Sequence, residues 1–381
     1  MWERIKLEPS RFALHLAVII IVAMWTLPTA GLLVSSLRDK NLIATSGWWT
    51  ALKTTDRSGQ GRTKDSSAAV EQDGKFVITG NIFEGSDNAT GNIKAFGTRV
   101  AKPDEFAAGA TATYEDGRTL VVNGDGTYSY TSPVKFEEGR GQRVFYITSM
   151  PPKFTTENYS NVLFSEGIGR SFVNSLTVTI PATIIPILIA AFAAYALAWM
   201  KIPGRGFMIA VVVGLLVVPL QMSLIPLLKI YNATGFLSKT YLGIWLAHTG
   251  FGLPFAIYLL RSYIAGLPKD LIESAQVDGA NDFKIFRRII LPLSFPALAS
   301  FAIFQFLWVW NDLLVAIVFL GTEPDKTVLT YKLNSLLGSR GGNWEILTAS
   351  AFVTIIVPLL VFFSLQRYFV RGLLAGSVKG G

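Results

Sequence analysis

Long apolar runs separated by short polar breaks make up most of the chain, with one extended polar stretch after the first run. Residues 14–36 are apolar apart from Pro28 and small polar residues, and about twenty such residues suffice to cross a bilayer as a helix. The run is too long for the apolar part of a secretory signal, so it reads as an uncleaved first span. Runs at 171–200, 207–228, 241–263, 293–320 and 346–365 predict further spans, with Pro219 and Pro226 towards the far end of the third. Between the fifth and sixth, 321–345 is polar, carries Pro324 and a Gly338–Gly342 segment, and reads as a mobile loop; 366–381 reads as a basic tail.

The polar stretch 38–166 differs in kind. Short β-prone segments at 75–79, 94–100, 110–114, 119–122, 127–131 and 144–148 lie between Gly- and Asn-rich breaks, the signature of an antiparallel β-domain. Asn123-Gly124-Asp125-Gly126 marks a hairpin turn. Asp125 invites a calcium reading, but the spacing of a calcium loop is absent, and it reads as a turn residue. Residues 57–67, rich in Ser, Gly and charge, read as a flexible loop. The expected organisation is therefore 1–37 (N-terminus and first span), 38–166 (β-rich insertion) and 167–381 (the remaining spans, a cytoplasmic loop at 264–292 and the tail).

Composition agrees with a polytopic membrane protein: 51% hydrophobic, 16% charged, mean hydropathy +0.42. Cysteine is absent and only His15 and His248 are present, so neither a disulfide framework nor a Cys- or His-rich metal site is expected. The net charge of +8 lies mostly beside the apolar runs, which points to membrane orientation rather than nucleic acid. With the N-terminus inside, about thirteen Lys and Arg fall in short cytoplasmic segments against about five in short exported ones, as the positive-inside rule requires. Both termini and 264–292 are then cytoplasmic, and the β-rich insertion is exported.

The most polar piece of the C-terminal half is 273–292, ESAQVDGANDFKIFRRIILP. Pro268 and Asp270 suit a helix start, with Glu273 completing an acidic first turn. Gly279 suits a left-handed C-cap. Asn281 or Asp282 suits the cap of a second helix from Phe283 to Ile290, where Pro292 interrupts the pattern. The expectation is a helix, a tight corner and a helix between two spans.

This stretch resembles the cytoplasmic signature of binding-protein-dependent ABC importer permeases, E-A-A-x-x-D-G-A-x-x-x-x-x-F-x-x-I-x-L-P. Glu273, Ala275, Asp278, Gly279, Ala280, Phe286, Ile289, Leu291 and Pro292 fall in register, and Ser274 replaces one small residue by another. Phe172-Val173-Asn174-Ser175-Leu176, Trp310-Asn311-Asp312 and Leu374-Ala375-Gly376-Ser377-Val378-Lys379-Gly380 are similar to the smaller permease subunit of maltose-type systems. The resemblance covers the first span and the chain from Pro151 onward. A large exported insertion is similar to the α-glucoside branch of that family.

The resemblance implies an all-α polytopic permease of the type I ABC importer fold, with six transmembrane helices and a small β-domain on the periplasmic side of a bacterial inner membrane. It implies a second homologous permease, an ATPase homodimer and a periplasmic sugar-binding protein as partners. ATP and Mg would be bound by the ATPase and no cofactor by this chain. The signature would dock on the ATPase, with Gly279 and Ala280 allowing close approach and Phe286 and Ile289 supplying apolar contact. The tail, Ala375, Gly376, Ser377, Val378, Lys379 and Gly380, would enter the ATPase interface. The 321–345 loop would reach into the binding protein.

Polar groups inside spans usually line a cavity or pair with one another. Gln221, Gln305, Trp310, Asn311 and Asp312 are candidates to line a sugar pathway, while interhelical hydrogen bonding is the competing reading. His248 reads as a packed, hydrogen-bonded core residue. The phosphate-binding consensus G-x-x-x-x-G-K-[ST] is absent, so the chain is not expected to hydrolyse ATP. A membrane-anchored sensor with a ligand-binding β-domain is the alternative function, but one or two spans would serve it. A membrane-embedded enzyme lacks paired acids or a nucleophile–base set.

Overall fold

The computed structural model describes residues 9–84, 91–339 and 342–375. Tail residues 376–381, and Arg340 and Gly341 of the glycine segment, lie outside them. The chain divides into two units, Met1–Thr156 and Glu157–Gly381. Residues 157–166, grouped by sequence with the insertion, thus belong to the second unit.

In the first unit, helix α1 (Pro9–Ser36) is followed by a short α2 (Lys40–Thr45) capped by the Asp39 carboxylate. Among the described residues nine strands follow: β1 (Thr55–Arg62), β2 (Val70–Gln72), β3 (Lys75–Asn81), β4 (Asn92–Gly97), β5 (Phe106–Ala107), β6 (Thr111–Thr113), β7 (Thr119–Val122), β8 (Thr127–Ser132) and β9 (Arg143–Met150). They form two antiparallel sheets, ordered β1-β9-β4-β5 and β2-β3-β8-β7-β6. Alternate residues point inward, so Ile93, Phe96, Val144 and Tyr146 of one sheet share a core with Ile78, Leu120, Val122, Tyr128 and Tyr130 of the other. The Asn123–Gly126 turn joins β7 to β8; the Asp125 carboxylate accepts from the Thr127 N–H (3.0 Å) and hydroxyl (2.6 Å), which makes Asp125 a turn residue.

One expectation is overturned here. Residues 57–62 are not a loop: they belong to β1, which pairs along its whole length with β9, and only 63–67 stay outside a strand. The strand escapes a hydrophobicity pattern because its inward positions are Thr55, Arg57, Gly59 and Gly61. A Cβ at Gly59 would lie 2.4 Å from the Tyr146 ring, and one at Gly61 would lie 2.6 Å from the Ile82 carbonyl. Neighbouring side chains supply the apolar bulk that the strand itself lacks.

The two ends of the β-unit meet. Thr155 N–H donates to Leu37 O (2.7 Å), Asp39 N–H donates to Lys153 O (3.3 Å), and Lys153 Nζ donates to Asp39 Oδ2 (2.9 Å). Burial pushes the Asp39 carboxyl up, but hydrogen bonds from Lys153 and from the Asn41 N–H outweigh it and hold the group below its ordinary value. A depressed carboxyl contributes stability above its unfolded-state pKa, near 3.9, and loses it as pH falls through the folded value. Lys153→Ala is therefore expected to destabilise the β-unit at pH 7, by less than about 1 kcal/mol for a partly exposed pair, and so to lower its melting temperature. The difference from wild type should fade at pH 3. A difference that persists at pH 3 would show that the ion pair is not its source.

The second unit is helical. Helix α3 (Glu157–Ser160) and a wide turn lead into α4 (Ile168–Trp199), followed by α5 (Arg205–Leu216), α6 (Leu220–Thr234), α7 (Tyr241–Ile264), α8 (Lys269–Val277), α9 (Asp282–Ile285), α10 (Leu291–Leu293), α11 (Phe295–Trp310), α12 (Leu314–Phe319), α13 (Leu329–Ser339) and α14 (Trp344–Ala375). Small residues let α4 and α7 approach closely: Ala182, Ala190 and Ala194 on one, Ala247, Gly252 and Ala256 on the other are buried. Across both units, four helices of the described residues are long and apolar enough to cross a membrane, or up to six if each of two bent pairs is one span.

The bends correct the expected spans. The third is not one rod: α5 and α6 meet at 103°, with Pro219 at the start of α6. The fifth breaks twice. Pro292 does not end the helix before it, because a wide π-helical turn (Phe286–Ile290) carries the backbone into α10. The bend of 70° falls instead between Leu293 and Phe295, and a second break at Asn311–Leu313 separates α11 from α12.

The described part of the polar 321–345 segment contains α13, and its residues 325–329 are pinned to α4. Asn174 Nδ2 donates to Asp325 O (2.9 Å) and Thr327 O (3.0 Å), while Ser175 Oγ accepts from the Leu329 N–H (2.7 Å). The tail begins later than expected, since α14 continues to Ala375.

Candidate functional site

The 264–292 loop forms a helical corner built into the helices behind it. Helix α8 ends in a left-handed cap: Gly279 has φ +77°. Its N–H donates to Gln276 O (3.0 Å) and the Ala280 N–H donates to Ala275 O (2.9 Å), which satisfies the last carbonyls of α8. Asn281, rather than Asp282, caps α9, its side chain accepting from the Lys284 N–H at 2.9 Å. A Cβ on Gly279 would meet no described residue beyond its two chain neighbours within 4 Å, so glycine is required there by backbone conformation and not by internal crowding.

Two expected roles change. Phe286 is not an external contact: it is 5% exposed, stacked on Phe192 with centroids 4.4 Å apart and set beside Tyr195 at 5.6 Å. Ile272, Ile285 and Ile290 join it in one core with residues of α4, α7 and α11. Ile289 is half-buried. Glu273 lies beyond the first turn of α8, whose acid is Asp270, and it pairs with Lys269 one turn earlier. The apolar side chains that point outward are Leu271, Val277 and Phe283, the last two 88% and 62% exposed.

Sequence reasoning missed the anchors on α4. Tyr195 Oη donates to Asp282 Oδ1 (3.1 Å), and Trp199 Nε1 donates to the last carbonyl of α7, Ile264 O (3.0 Å). Phe192, Tyr195 and Trp199 recur at helical spacing at the end of an apolar run, a signal that was available.

The intramembrane polar residues do not form one site. Gln305, 2% exposed, donates to Ala182 O (3.0 Å) and His248 O (3.4 Å), tying α11 to α4 and α7. Trp310 is also internal: Nε1 donates to Thr354 O (2.9 Å), and its ring packs on Phe172 and Phe306. Asp312 Oδ2 accepts from the Ala316 N–H (3.0 Å) at the start of α12, and lies 3.9 Å from His248 Nε2. His248 is packed as expected, edge-on to Trp308, but neither ring nitrogen has a hydrogen-bond partner among the described residues. Gln221 and Asn311 are exposed. Asn311 borders a cavity of about 330 Å³ between α11 and α14, with Thr354 and otherwise apolar walls.

The chain is 64% identical over 378 residues, 98% of each chain, to the alpha-glucoside transport system permease protein AglG of Rhizobium meliloti (strain 1021). It is 44% identical over 370 residues, 97% of this chain and 93% of the other, to the osmoprotective compounds uptake permease protein GgtD of Synechocystis sp. (strain ATCC 27184 / PCC 6803 / Kazusa). A crystal structure of a bacterial ABC transporter involved in import of the acidic polysaccharide alginate matches 58% of this chain and 82% of its own, at 25% identity and a TM-score of 0.49. Residues 164–374, which hold the helical corner and its anchors, match the binding-protein-dependent transport system inner membrane component family; with near-full-length identity to permeases beside that match, the chain belongs to this family.

Proposed function

We propose that the chain is a permease subunit of an ATP-driven, binding-protein-dependent importer of α-glucosides of the maltose, sucrose and trehalose type. The observation that carries the substrate class is the 64% identity over 98% of both chains with a permease named for alpha-glucoside transport, an overlap that takes in the β-unit. The chain is not itself an enzyme; ATP and Mg are handled by a separate ATPase.

In this reading the chain sits in the inner membrane with six spans, each bent pair counting as one. Both termini and the helical corner face the cytoplasm, and the β-unit faces the periplasm, as the distribution of Lys and Arg supports. A second homologous permease covers the exposed apolar faces of α5 and α6, an ATPase homodimer receives the corner, and a sugar-binding protein delivers substrate. Leu271, Val277 and Phe283, with Gly279 and Ala280 at the tip, make the ATPase contact. Because Phe286 and its isoleucine neighbours bury the corner in α4, α7 and α11, movement of the ATPase turns these helices as a body rather than bending a loop. Gln221 and Asn311, with Asp312 behind, are the pathway candidates; Gln305 and Trp310 hold the helices that carry them. Residues 375–380 approach the ATPase interface.

The test is uptake into vesicles holding the four-component complex, with labelled maltose, sucrose and trehalose. ATP-dependent accumulation of at least one is expected. Accumulation of none, with a different solute imported, would overturn the substrate class.

A further inference from the structure

The segment between α2 and β1 folds back on α1. The Arg38 side chain, 2% exposed, donates to Leu42 O (3.1 Å) and Ser46 O (2.8 Å). A buried guanidinium thus takes up carbonyls at the end of α2 that would otherwise need water. After Gly47 the chain makes a single 3₁₀ turn, Trp48–Thr50. Trp48 is seated on α1: a Cβ at Gly31 would lie 2.6 Å from its Nε1, so glycine permits the close approach.

This packing holds two large apolar side chains outward. Trp49 is 72% and Leu52 83% exposed, and the Trp49 ring stands edge-on to Trp48 with centroids 6.2 Å apart. A single exposed apolar residue is ordinary. These two sit beside the last turns of α1, a helix whose Leu14, Leu16, Val18 and Leu27 are also exposed and which is long and apolar enough to cross a membrane. Gly31 lies five residues before the end of α1 at Ser36, a rise of about 7.5 Å. Groups that lie in the boundary between lipid headgroups and acyl chains are buried about 5–10 Å. The charge around the patch has one sign: Lys40 and Lys53 are exposed, and no acidic residue occurs from Lys40 to Thr55. Lysine stems can lie along apolar surface while their ammonium groups reach lipid phosphates.

We propose that residues 46–53 are a membrane anchor lying in the headgroup–acyl boundary at the C-terminal end of α1, with Trp49 and Leu52 as the inserted side chains. The proposal rests on the reading of α1 as a membrane span. An indole suits this boundary because its ring is apolar while its N–H needs a polar partner. Lipid fits better than a protein partner because the patch continues the exposed apolar surface of α1 and is rimmed by lysines alone. The Arg38 clamp keeps the segment from retracting. Because β1 begins two residues after Lys53, the anchor fixes the entry to the β-unit at the membrane surface.

The chain contains no cysteine, so a single introduced thiol carries its only spin label. Trp49→Cys and Leu52→Cys replace exposed side chains, so folding is expected to be unchanged. Each is labelled with a nitroxide in the assembled complex in nanodiscs, the other subunits being made cysteine-free. Collision with oxygen, which partitions into lipid, is compared with collision with a water-soluble nickel chelate. Leu16→Cys on α1 and Ser58→Cys on the outer face of β1 serve as the lipid and water references. Both anchor labels are expected to favour oxygen, at a depth between the two references and about 5–10 Å inside the headgroups. Labels that collide with the nickel chelate as freely as the Ser58 label would overturn the proposal. Labels shielded from both reagents would also overturn it, by placing a protein partner on the patch. A Leu16 label open to the nickel chelate would instead defeat the reading of α1 as a span, which separates the two failures.

Discussion

Gly279→Val is expected to uncouple the transporter without unfolding it. Gly279 sits at φ +77°, and the hydrogen bonds of Gly279 and Ala280 to α8 depend on that left-handed geometry. A β-branched residue held there costs on the order of 1–3 kcal/mol. Among the described residues, no atom beyond Gly279 and its two chain neighbours lies within 4 Å of the new Cβ, so the side chain projects outward, into the face proposed to meet the ATPase. A loss of about 2.8 kcal/mol in docking weakens association about a hundredfold. Gly279→Asn is the informative control, because asparagine tolerates left-handed backbone better than other residues; it should retain most of the coupling. Glu273→Ala should cost less than Gly279→Val, since Glu273 pairs with Lys269 on its own exposed helix face and such pairs contribute little. The measurement is ATPase retained on the purified complex, with sugar-stimulated ATP hydrolysis. If Gly279→Val keeps its ATPase and transports like wild type, the corner is not the coupling element.

Trp310→Ala is expected to remove the protein rather than to retune its substrate. The side chain is 2% exposed, its indole N–H is committed to Thr354 O, and its ring fills the space between Phe172 and Phe306. Truncating a buried aromatic costs about 3–5 kcal/mol, and here it also leaves a carbonyl of α14 without its donor. The expected result is a large loss of folded permease in the membrane, with a lowered melting temperature in what remains. Trp310→Phe keeps most of the packing and should recover most of the protein. A pathway residue would behave in the opposite way: normal abundance of Trp310→Ala with an altered sugar preference in vesicle uptake would show that the indole faces the substrate.

The contrast between Trp310 and its neighbour Asn311 shows what a linear pattern can carry. Sequence places both in a conspicuous polar break of an apolar run, and cannot say which way either points. One residue of rotation about α11 decides it: Trp310 turns into the packing against α14, whereas Asn311 is left exposed at the helix end. Phe286 teaches the same lesson. Its place in the signature identifies the family, but only packing against Phe192 and Tyr195 makes it an internal anchor.

By itself the sequence determined the class of protein, the apolar segments, the β-rich insertion, the turn at Asn123–Gly126 and the capped helical corner. Each of these is written locally, in runs longer than a bilayer crossing, in alternation along a strand, or in a glycine where backbone must turn left-handed. Tertiary structure decided the rest. Strand β1 exists because Tyr146 and Ile82 crowd over Gly59 and Gly61, contacts that are distant in sequence. Residues 325–329 of the polar segment are held in place because Asn174 and Ser175, more than 150 positions away, take up their backbone groups. The spans bend at Pro219 and Ser294 but not at Pro292, because a wide turn absorbs that proline before the core does. Such features arise from partners far along the chain, and no local pattern encodes them.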